Sequence, residues 1–232
     1  MEKQFEEIQR NINNFSPTDL LWYISKKFGD KAVFSTSFGQ EDQVITDMIL
    51  ANSIPIGIFT LDTGRMFEDT YRVMQRTNEK YRTKIKVYFP EKESVEKLYQ
   101  TKGAYSFYES IENRKECCSI RKVKPLRRAL SGKQAWITGL RADQSENRNS
   151  LSKAMFDKGF DIIKFNPLLD WSLKDVNLYI KENNVPQNSL HNKGFISIGC
   201  SPCTRAIKEG EDIRAGRWWW EDTSKKECGL HR

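Results

Sequence analysis

The chain is short of several things that would announce a function. Among 232 residues there are only two histidines, seven prolines and five cysteines. No apolar run approaches the roughly 18 residues of a membrane-spanning helix, which argues against a helical membrane protein. Neither an internal repeat nor a low-complexity tract is present. The first residues, Met1-Glu2-Lys3-Gln4-Phe5-Glu6-Glu7, are acidic and amphipathic and lack the shape of a signal peptide. That predicts a cytoplasmic protein. Thiols there stay reduced, so cysteine pairs suit metal binding or redox chemistry better than structural disulfides.

What is present is positive charge, +7 net, with 30% charged and 38% hydrophobic residues. The length suits one domain with room for a substantial core. Arginines and lysines gather near Gly, Ser or Cys, at 114–115, 121–128, 141–148 and 214–217. Such placement fits a small, multiply charged anion at least as well as mere solubility. Strand and helix signals alternate: strands at 32–35, 54–61, 85–89, 135–139 and 162–165, with helices from Ser16-Pro17, over 41–51, over 67–81 and over 172–184. The pattern predicts an α/β fold, a mostly parallel sheet with helices on both faces. After Pro186 the glycines at 194, 199, 210, 216 and 229 break any regular pattern. The expected organisation is therefore an α/β domain over 1–190, carrying the first cysteine pair, and a C-terminal loop-rich tail over 191–232.

Ser35-Thr36-Ser37-Phe38-Gly39 sits at a strand-to-helix junction, where exposed backbone N–H groups and a helix N-terminus favour an anion. Asp62-Thr63-Gly64-Arg65 ends the next strand and would border the same crevice. The first loop matches neither G-x-x-x-x-G-K-[ST] nor G-x-G-x-x-G, which disfavours ATP hydrolysis and a Rossmann dinucleotide. Residues 137–148, with Gly139, Arg141 and Arg148, repeat the arrangement of strand, glycine and polar loop. Arg214 and Arg217 precede Trp218-Trp219-Trp220, a run expected to anchor the tail to the domain or to another subunit.

Cys117-Cys118 and Cys200-x-x-Cys203 make a natural tetrathiolate site. Adjacent cysteines hold one small ion awkwardly, whereas a cluster offers two different irons; the spacing favours the cluster and leaves zinc open. Lys122 would lie beside that site if its segment is helical, offsetting the thiolate charge. Cys228 is left over, in Glu227-Cys228-Gly229-Leu230-His231. With Lys225, Lys226 and His231 nearby it is the candidate nucleophile, since a thiolate attacks electrophilic sulfur.

Together STSFGQED (35–42), LDTGRMFEDTY (61–71), CCSIRKVKPLRRAL (117–130), ITGLRADQSENR (137–148), FNPLLDWSLKDV (165–176), VPQNSLHNKGFISIGCSPCTRAI (185–207) and EDIRAGRWWWEDTSKKECGLH (211–231) resemble the sulfonucleotide reductases. The two cysteine pairs look like those of the assimilatory adenylyl-sulfate (APS) reductase branch. The resemblance implies an adenine-nucleotide alpha-hydrolase fold of PP-loop type and a thioredoxin-dependent reduction of adenosine 5'-phosphosulfate to sulfite and AMP. It implies a [4Fe–4S] cluster on Cys117, Cys118, Cys200 and Cys203, and catalysis by Cys228 through an S-sulfo intermediate. Lys122, Arg148, Arg214, Arg217 and His231 match phosphosulfate contacts; Ser35, Ser37, Phe38, Gly39, Asp62 and Arg65 match the nucleotide loop and its neighbour. Thioredoxin or glutaredoxin is the implied donor, and relatives often form dimers or tetramers. A reductase that prefers PAPS or accepts both nucleotides remains an alternative. More distant is a four-cysteine zinc protein that binds nucleic acid or thiolates tRNA.

Overall fold

Local signals decide where the first elements begin. Ser16 caps a helix, its Oγ accepting from the Asp19 N–H at 3.2 Å, and Pro17 fills the first helical position. The computed structural model describes residues 2–144 and 152–221. Its helices are α1 (Glu2–Ile12), α2 (Pro17–Phe28), α3 (Gln40–Ala51), α4 (Glu68–Lys80), α5 (Lys92–Lys102), α6 (Ile111–Cys118), α7 (Lys124–Leu130) and α8 (Leu173–Glu182). Its strands are β1 (Ala32–Thr36), β2 (Gly57–Leu61), β3 (Lys86–Tyr88), β4 (Ala135–Ile137), β5 (Ala154–Asp157) and β6 (Ile162–Phe165). They form one mostly parallel six-stranded sheet in the order β3-β2-β1-β4-β6-β5, with helices packed on it. β1, β4 and β6 run parallel, with Phe34 opposite Ile137 and Ile137 opposite Phe165. β5 pairs antiparallel with β6.

Two compact units partition the chain. The first comprises Met1–Phe59, Arg72–Lys86 and Gly132–Asn188; the second comprises Thr60–Tyr71, Val87–Ser131 and Ser189–Arg232. The expected partition, 1–190 then 191–232, simply runs along the chain. The units interleave instead, and Cys117 and Cys118 fall with the C-terminal cysteine pair.

In the first unit a single aliphatic core joins Ile8 and Ile12 of α1, Leu20, Leu21 and Ile24 of α2, Val44, Ile45, Met48 and Ile49 of α3, and Phe34, Ile137 and Phe165 of the strands. β4 is buried at all three positions, which is why it reads as an unbroken apolar run. Ser172 and Asp175 close a capping box on α8. The strand expected from Ile54 begins only at Gly57, because Pro55 has no N–H for a ladder; Ile54 and Ile56 still enter the core.

In the second unit, α6 passes into a π-helical turn, Ser119–Val123, before α7. Pro125 accounts for it: the ring offers no N–H and crowds the carbonyl four residues back, so the ladder widens. The stretch after Pro186 is not purely irregular. It holds 3-10 turns at Ser189–Lys193 and Ser201–Cys203 and a bridge between Thr204 and Arg217. No helix among the described residues is long and apolar enough to cross a membrane.

Candidate active site

In the first unit, β1 delivers Ser35 and the turn that follows it to the start of α3, with Gly39 as the N-cap. Phe38 adopts a φ of 61°, unusual for a residue with a side chain. Its ring is fully buried against Val73 and Ile85, and its N–H donates to Thr36 Oγ1 at 3.1 Å. Burial of the ring holds the loop in a conformation that exposes Ser37. The Ser37 N–H and hydroxyl both donate to Asp42 Oδ2 at 2.6 Å. Burial pushes the Asp42 carboxyl up to about 6, against those hydrogen bonds and with help from Glu41. Gly139, beyond β4, lies so close that a Cβ there would stand 2.2 Å from Asp42 Oδ1. The Ser35 hydroxyl accepts from the Trp136 indole N–H at 2.8 Å. Arg141 is buried and donates to Glu41 at 2.9 Å. Arg148 lies outside the described residues.

In the second unit, Asp62 closes a tight turn by accepting from the Gly64 N–H at 2.7 Å and from the Tyr71 hydroxyl at 3.1 Å. Burial and then that contact raise the Tyr71 phenol to about 12. Arg65 donates to Tyr99 Oη at 2.8 Å and to the Ala104 carbonyl, with its guanidinium 4.8 Å from the Phe107 ring centroid. Arg121 donates to the Thr63 carbonyl at 2.6 Å and to the same Tyr99 oxygen at 2.9 Å.

Around these residues sit the thiols. Cys117, Cys200 and Cys203 are buried in one cluster with Leu98, Phe107, Ile120 and Trp218; Cys118 is half-buried. All four are free thiols. Burial pushes the Cys117 thiol up, against the opposing charges of Arg121 and Arg65. Burial and the charge of Cys200 carry Cys203 to about 12. Cys200 goes the other way: burial raises it, but Lys122, a hydrogen bond with Thr63, Arg217 and Arg121 together bring it below the ordinary thiol range. The segment after Cys117 is helical, as the role of Lys122 requires, and Lys122 is the leading cation acting on Cys200. Three guanidinium atoms, Arg65 Nη1, Arg121 Nε and Arg217 Nε, are buried without a hydrogen-bond partner. Among the described residues no group of three or more His, Cys, Asp or Glu is arranged to hold a metal ion.

Arg217 packs on Gly199, where a Cβ would meet its Nη2 at 2.4 Å. The Arg214 N–H donates to Asp212 Oδ1 at 2.8 Å. Trp218 is buried between the guanidinium groups of Arg114 and Arg217, 4.6 and 4.8 Å from its ring. Trp220 packs on Phe107 and Tyr108, while Trp219 is largely exposed. The tryptophan run thus anchors itself within the second unit. Cys228 and His231 lie outside the described residues.

The structure also singles out residues that the sequence reading does not place in a site: Asp42, Thr63, Tyr99, Arg114 and Arg121. Thr63 and Arg121 had a signal, each being the immediate neighbour of a candidate, Asp62 and Lys122. Asp42 ends the STSFGQED stretch and Arg114 is one of the cations gathered before the first cysteine pair, whereas Tyr99 carries no signal that chain position reveals.

The sequence matches the phosphoadenosine phosphosulfate reductase domain over residues 31–206. It is 50% identical to an adenosine 5'-phosphosulfate reductase of Neisseria meningitidis serogroup B over 87% of this chain and 82% of that one. A second relative of the same name, from Allochromatium vinosum, is 48% identical over 88% of this chain and 79% of that one. Among solved structures, phosphoadenylyl-sulfate (PAPS) reductase from Candida auris, in a phosphate complex, superposes with a TM-score of 0.76 at 28% identity, over 89% of this chain and 98% of that one. The FMN adenylyltransferase of Candida glabrata reaches a TM-score of 0.56 at 16% identity, over 91% of this chain and 76% of that one, and shares the fold alone. By the length of these matches, the chain belongs to the phosphoadenosine phosphosulfate reductase family.

Proposed function

We propose that this enzyme reduces adenosine 5'-phosphosulfate to sulfite and AMP, an assimilatory step toward cysteine carried out in the cytoplasm with thioredoxin or glutaredoxin as electron donor. The observation that carries the reading is 50% identity, across most of both chains, to a relative bearing the name of that reductase. It also answers the nucleic-acid and tRNA alternatives in favour of an oxidoreductase.

The chemistry balances as two displacements at sulfur. The Cys228 thiolate attacks the sulfate sulfur; an S–S bond forms, the S–O bond breaks, and AMP leaves with the electron pair. A donor thiolate then attacks the Cys228 sulfur and sulfite leaves; the donor's second thiol resolves the mixed disulfide, so the donor ends oxidised by two electrons. Ser35, Ser37, Phe38 and Gly39 take the nucleotide, with Asp62 and Arg65 shaping the neighbouring turn. Lys122, Arg148, Arg214, Arg217 and His231 take the phosphosulfate charge, a role in which arginine's paired donors suit tetrahedral oxyanions.

Cys117, Cys118, Cys200 and Cys203 would hold a [4Fe–4S] cluster. Support for the fit comes from four free thiols in one unit and from unpartnered guanidinium N–H groups on Arg65, Arg121 and Arg217. Such donors suit the sulfur atoms of an anionic cluster. When bound, the cluster would supply negative charge that a cation such as Lys122 is suited to offset, while the two electrons of reduction come from the donor's thiols.

Cys228→Ser tests the assignment. The expected outcome is loss of sulfite release, by about three orders of magnitude or more, with the iron–sulfur absorbance unchanged; wild-type turnover in that variant would reject the nucleophile. Comparing kcat/KM for APS and PAPS on the native enzyme decides between the two nucleotides, with APS expected to win.

A further inference from the structure

The sheet of the first unit has two unlike faces. One carries Ala32 and Phe34 of β1, Ala135 and Ile137 of β4 and Phe165 of β6, all in the aliphatic core. Side chains alternate along a strand, so the other face takes the residues between them. Trp136 lies opposite Val33 on one side and Lys164 on the other, and Lys164 lies opposite Met155. Ser35 and Asp157, two residues on from Val33 and Met155, share that face. A row of contacts joins them. The Trp136 indole N–H donates to Ser35 Oγ at 2.8 Å. Lys164 Nζ stands 4.6 Å from the Trp136 ring and donates to Asp157 Oδ2 at 2.5 Å. Asp157 Oδ1 accepts from the Gly159 and Phe160 N–H groups at 3.0 and 3.2 Å, and the Phe160 ring meets the indole edge to face at 5.5 Å. Trp136, Lys164 and Asp157 are buried; Ser35, near the carboxyl end of β1, is the partly exposed end of the row. Stability alone does not call for it, because apolar packing commonly does as well as a buried ion pair.

The chemistry of the indole supplies a reason. An indole N–H can only donate, so Ser35 Oγ must accept. A serine hydroxyl has one proton, and among the described residues Ser35 Oγ makes no other hydrogen bond. That proton is left to donate. Ser37 is committed the other way: its N–H and its hydroxyl both donate to Asp42 Oδ2 at 2.6 Å, so its oxygen is left with lone pairs. Two serines that look alike in the sequence therefore offer opposite polarity. The anionic oxygens of a nucleotide take donors, and a hydrogen bond to a charged oxygen is the stronger kind. Resting on the reading of this loop as the nucleotide site, we infer that Trp136 is a positioning residue, which fixes Ser35 as the hydroxyl donor to a phosphate oxygen of the nucleotide. Trp136 touches no substrate in this account; it acts through Ser35. The Lys164 ammonium, itself held by Asp157, is drawn to the indole face and keeps the ring in place.

The experiment measures AMP binding to cluster-loaded enzyme by calorimetry. Wild-type enzyme should bind AMP; no binding there would overturn the nucleotide reading of the loop itself, and the inference with it. Trp136→Phe keeps an aromatic ring for Lys164 and Phe160 but has no N–H. Its Kd for AMP should rise about threefold to tenfold, the worth of one hydrogen bond. Ser35→Ala should raise Kd about tenfold or more, the worth of a bond to a charged oxygen. Ser35→Thr, which keeps the hydroxyl, should recover part of the affinity. Added to Ser35→Ala, Trp136→Phe should weaken binding by less than about twofold further, because it acts only through that hydroxyl. A merely structural role would weaken binding alike in both backgrounds. A second measurement leaves Trp136 in place and decides the matter if Trp136→Phe fails to fold. In isotope-labelled enzyme observed by NMR, the indole signal that moves in Ser35→Ala belongs to Trp136. AMP should shift it downfield, since a hydroxyl that donates to phosphate accepts more strongly, and adenosine, which has no phosphate, should not. Wild-type AMP affinity in folded Trp136→Phe, equal losses in the two backgrounds, or an indole signal that AMP does not move would overturn the inference.

Discussion

The two compact units differ in how they hold several of their buried cations. In the first, buried charges are answered from within. Lys164 donates to Asp157 at 2.5 Å, and Asp47 accepts from Tyr81 at 2.5 Å, from Tyr179 at 2.8 Å and from Lys80 at 3.5 Å. Its core is aliphatic and continuous. In the second unit the core is small, and three of its seven buried members are cysteines. Three of its arginines, Arg65, Arg121 and Arg217, face aromatic rings and single carbonyls with no carboxylate against them among the described residues, and each keeps a buried N–H without a partner. Orphaned donors of this kind are rare in a native interior and ask for an acceptor. The contrast separates a self-sufficient scaffold from a region whose cations are arranged for an anionic guest.

If the first unit is self-sufficient, breaking one of its internal pairs should cost the most. Lys164 and Asp157 are each 2% exposed, and the ammonium lies 4.6 Å from the Trp136 ring. Lys164→Met strands a buried carboxylate, so roughly 3–5 kcal/mol of stability should be lost. Lys164→Met with Asp157→Leu removes both charges and should recover most of it. Urea denaturation of the single and double variants measures both, and a double variant as unstable as the single would deny that the pair is internally compensated.

A smaller effect is expected where scaffold meets loop. At Gly139 an added methyl would stand 2.2 Å from Asp42 Oδ1 and 3.2 Å from Glu41 Cβ. Gly139→Ala must therefore displace the carboxylate that holds the Ser37 N–H and hydroxyl, at a cost of about 1–3 kcal/mol. AMP affinity should fall with it while iron content stays at the wild-type level. Unchanged AMP binding, read by calorimetry, would separate Gly139 from the loop.

These residues also mark what can be read from the chain. β1, β4 and α3 are legible because their apolar runs follow a single period, and Ser16-Pro17 and Ser172 announce their helices by capping chemistry. α5, α6 and α7 are not, because they are short and crowded with charge, and α5 and α6 send Leu98 and Cys117 into a cluster of cysteines and aromatics that come from distant segments. The cysteine pairs stand out by spacing, and the serine loop by its place after a buried strand. Asp42 lies in a legible stretch, but its role does not show there because its meaning comes from Gly139, some hundred positions away. The role of Arg114 is hidden for the same reason: only the fold brings Glu221 to it.

The finest test of the contrast is pH, because each unit carries a carboxyl displaced in the opposite direction. Asp42, in the first unit, is raised by burial from 3.8 to about 6 despite its hydrogen bonds to Ser37. The folded state then holds the proton more tightly than the unfolded chain. Stability near Asp42 should fall as pH rises from about 4 to about 6 and stay flat above, the reverse of the usual carboxylate behaviour. Glu211, in the second unit, is lowered from 4.5 to about 2, first by its hydrogen bonds from Arg205 and next by the Lys208 N–H. Its contribution is complete above about 4.5 and is lost as pH falls toward 2. Glu211 is the more exposed to solvent screening, so its effect should be the smaller of the two. Hydrogen exchange read peptide by peptide can follow both: protection of α3 should increase on mild acidification, whereas protection around Arg205 should decrease at lower pH. Asp42→Asn should flatten the first profile only, and Glu211→Gln the second only. Slopes of the same sign in both peptides would mean that the two units do not differ in how they bury charge.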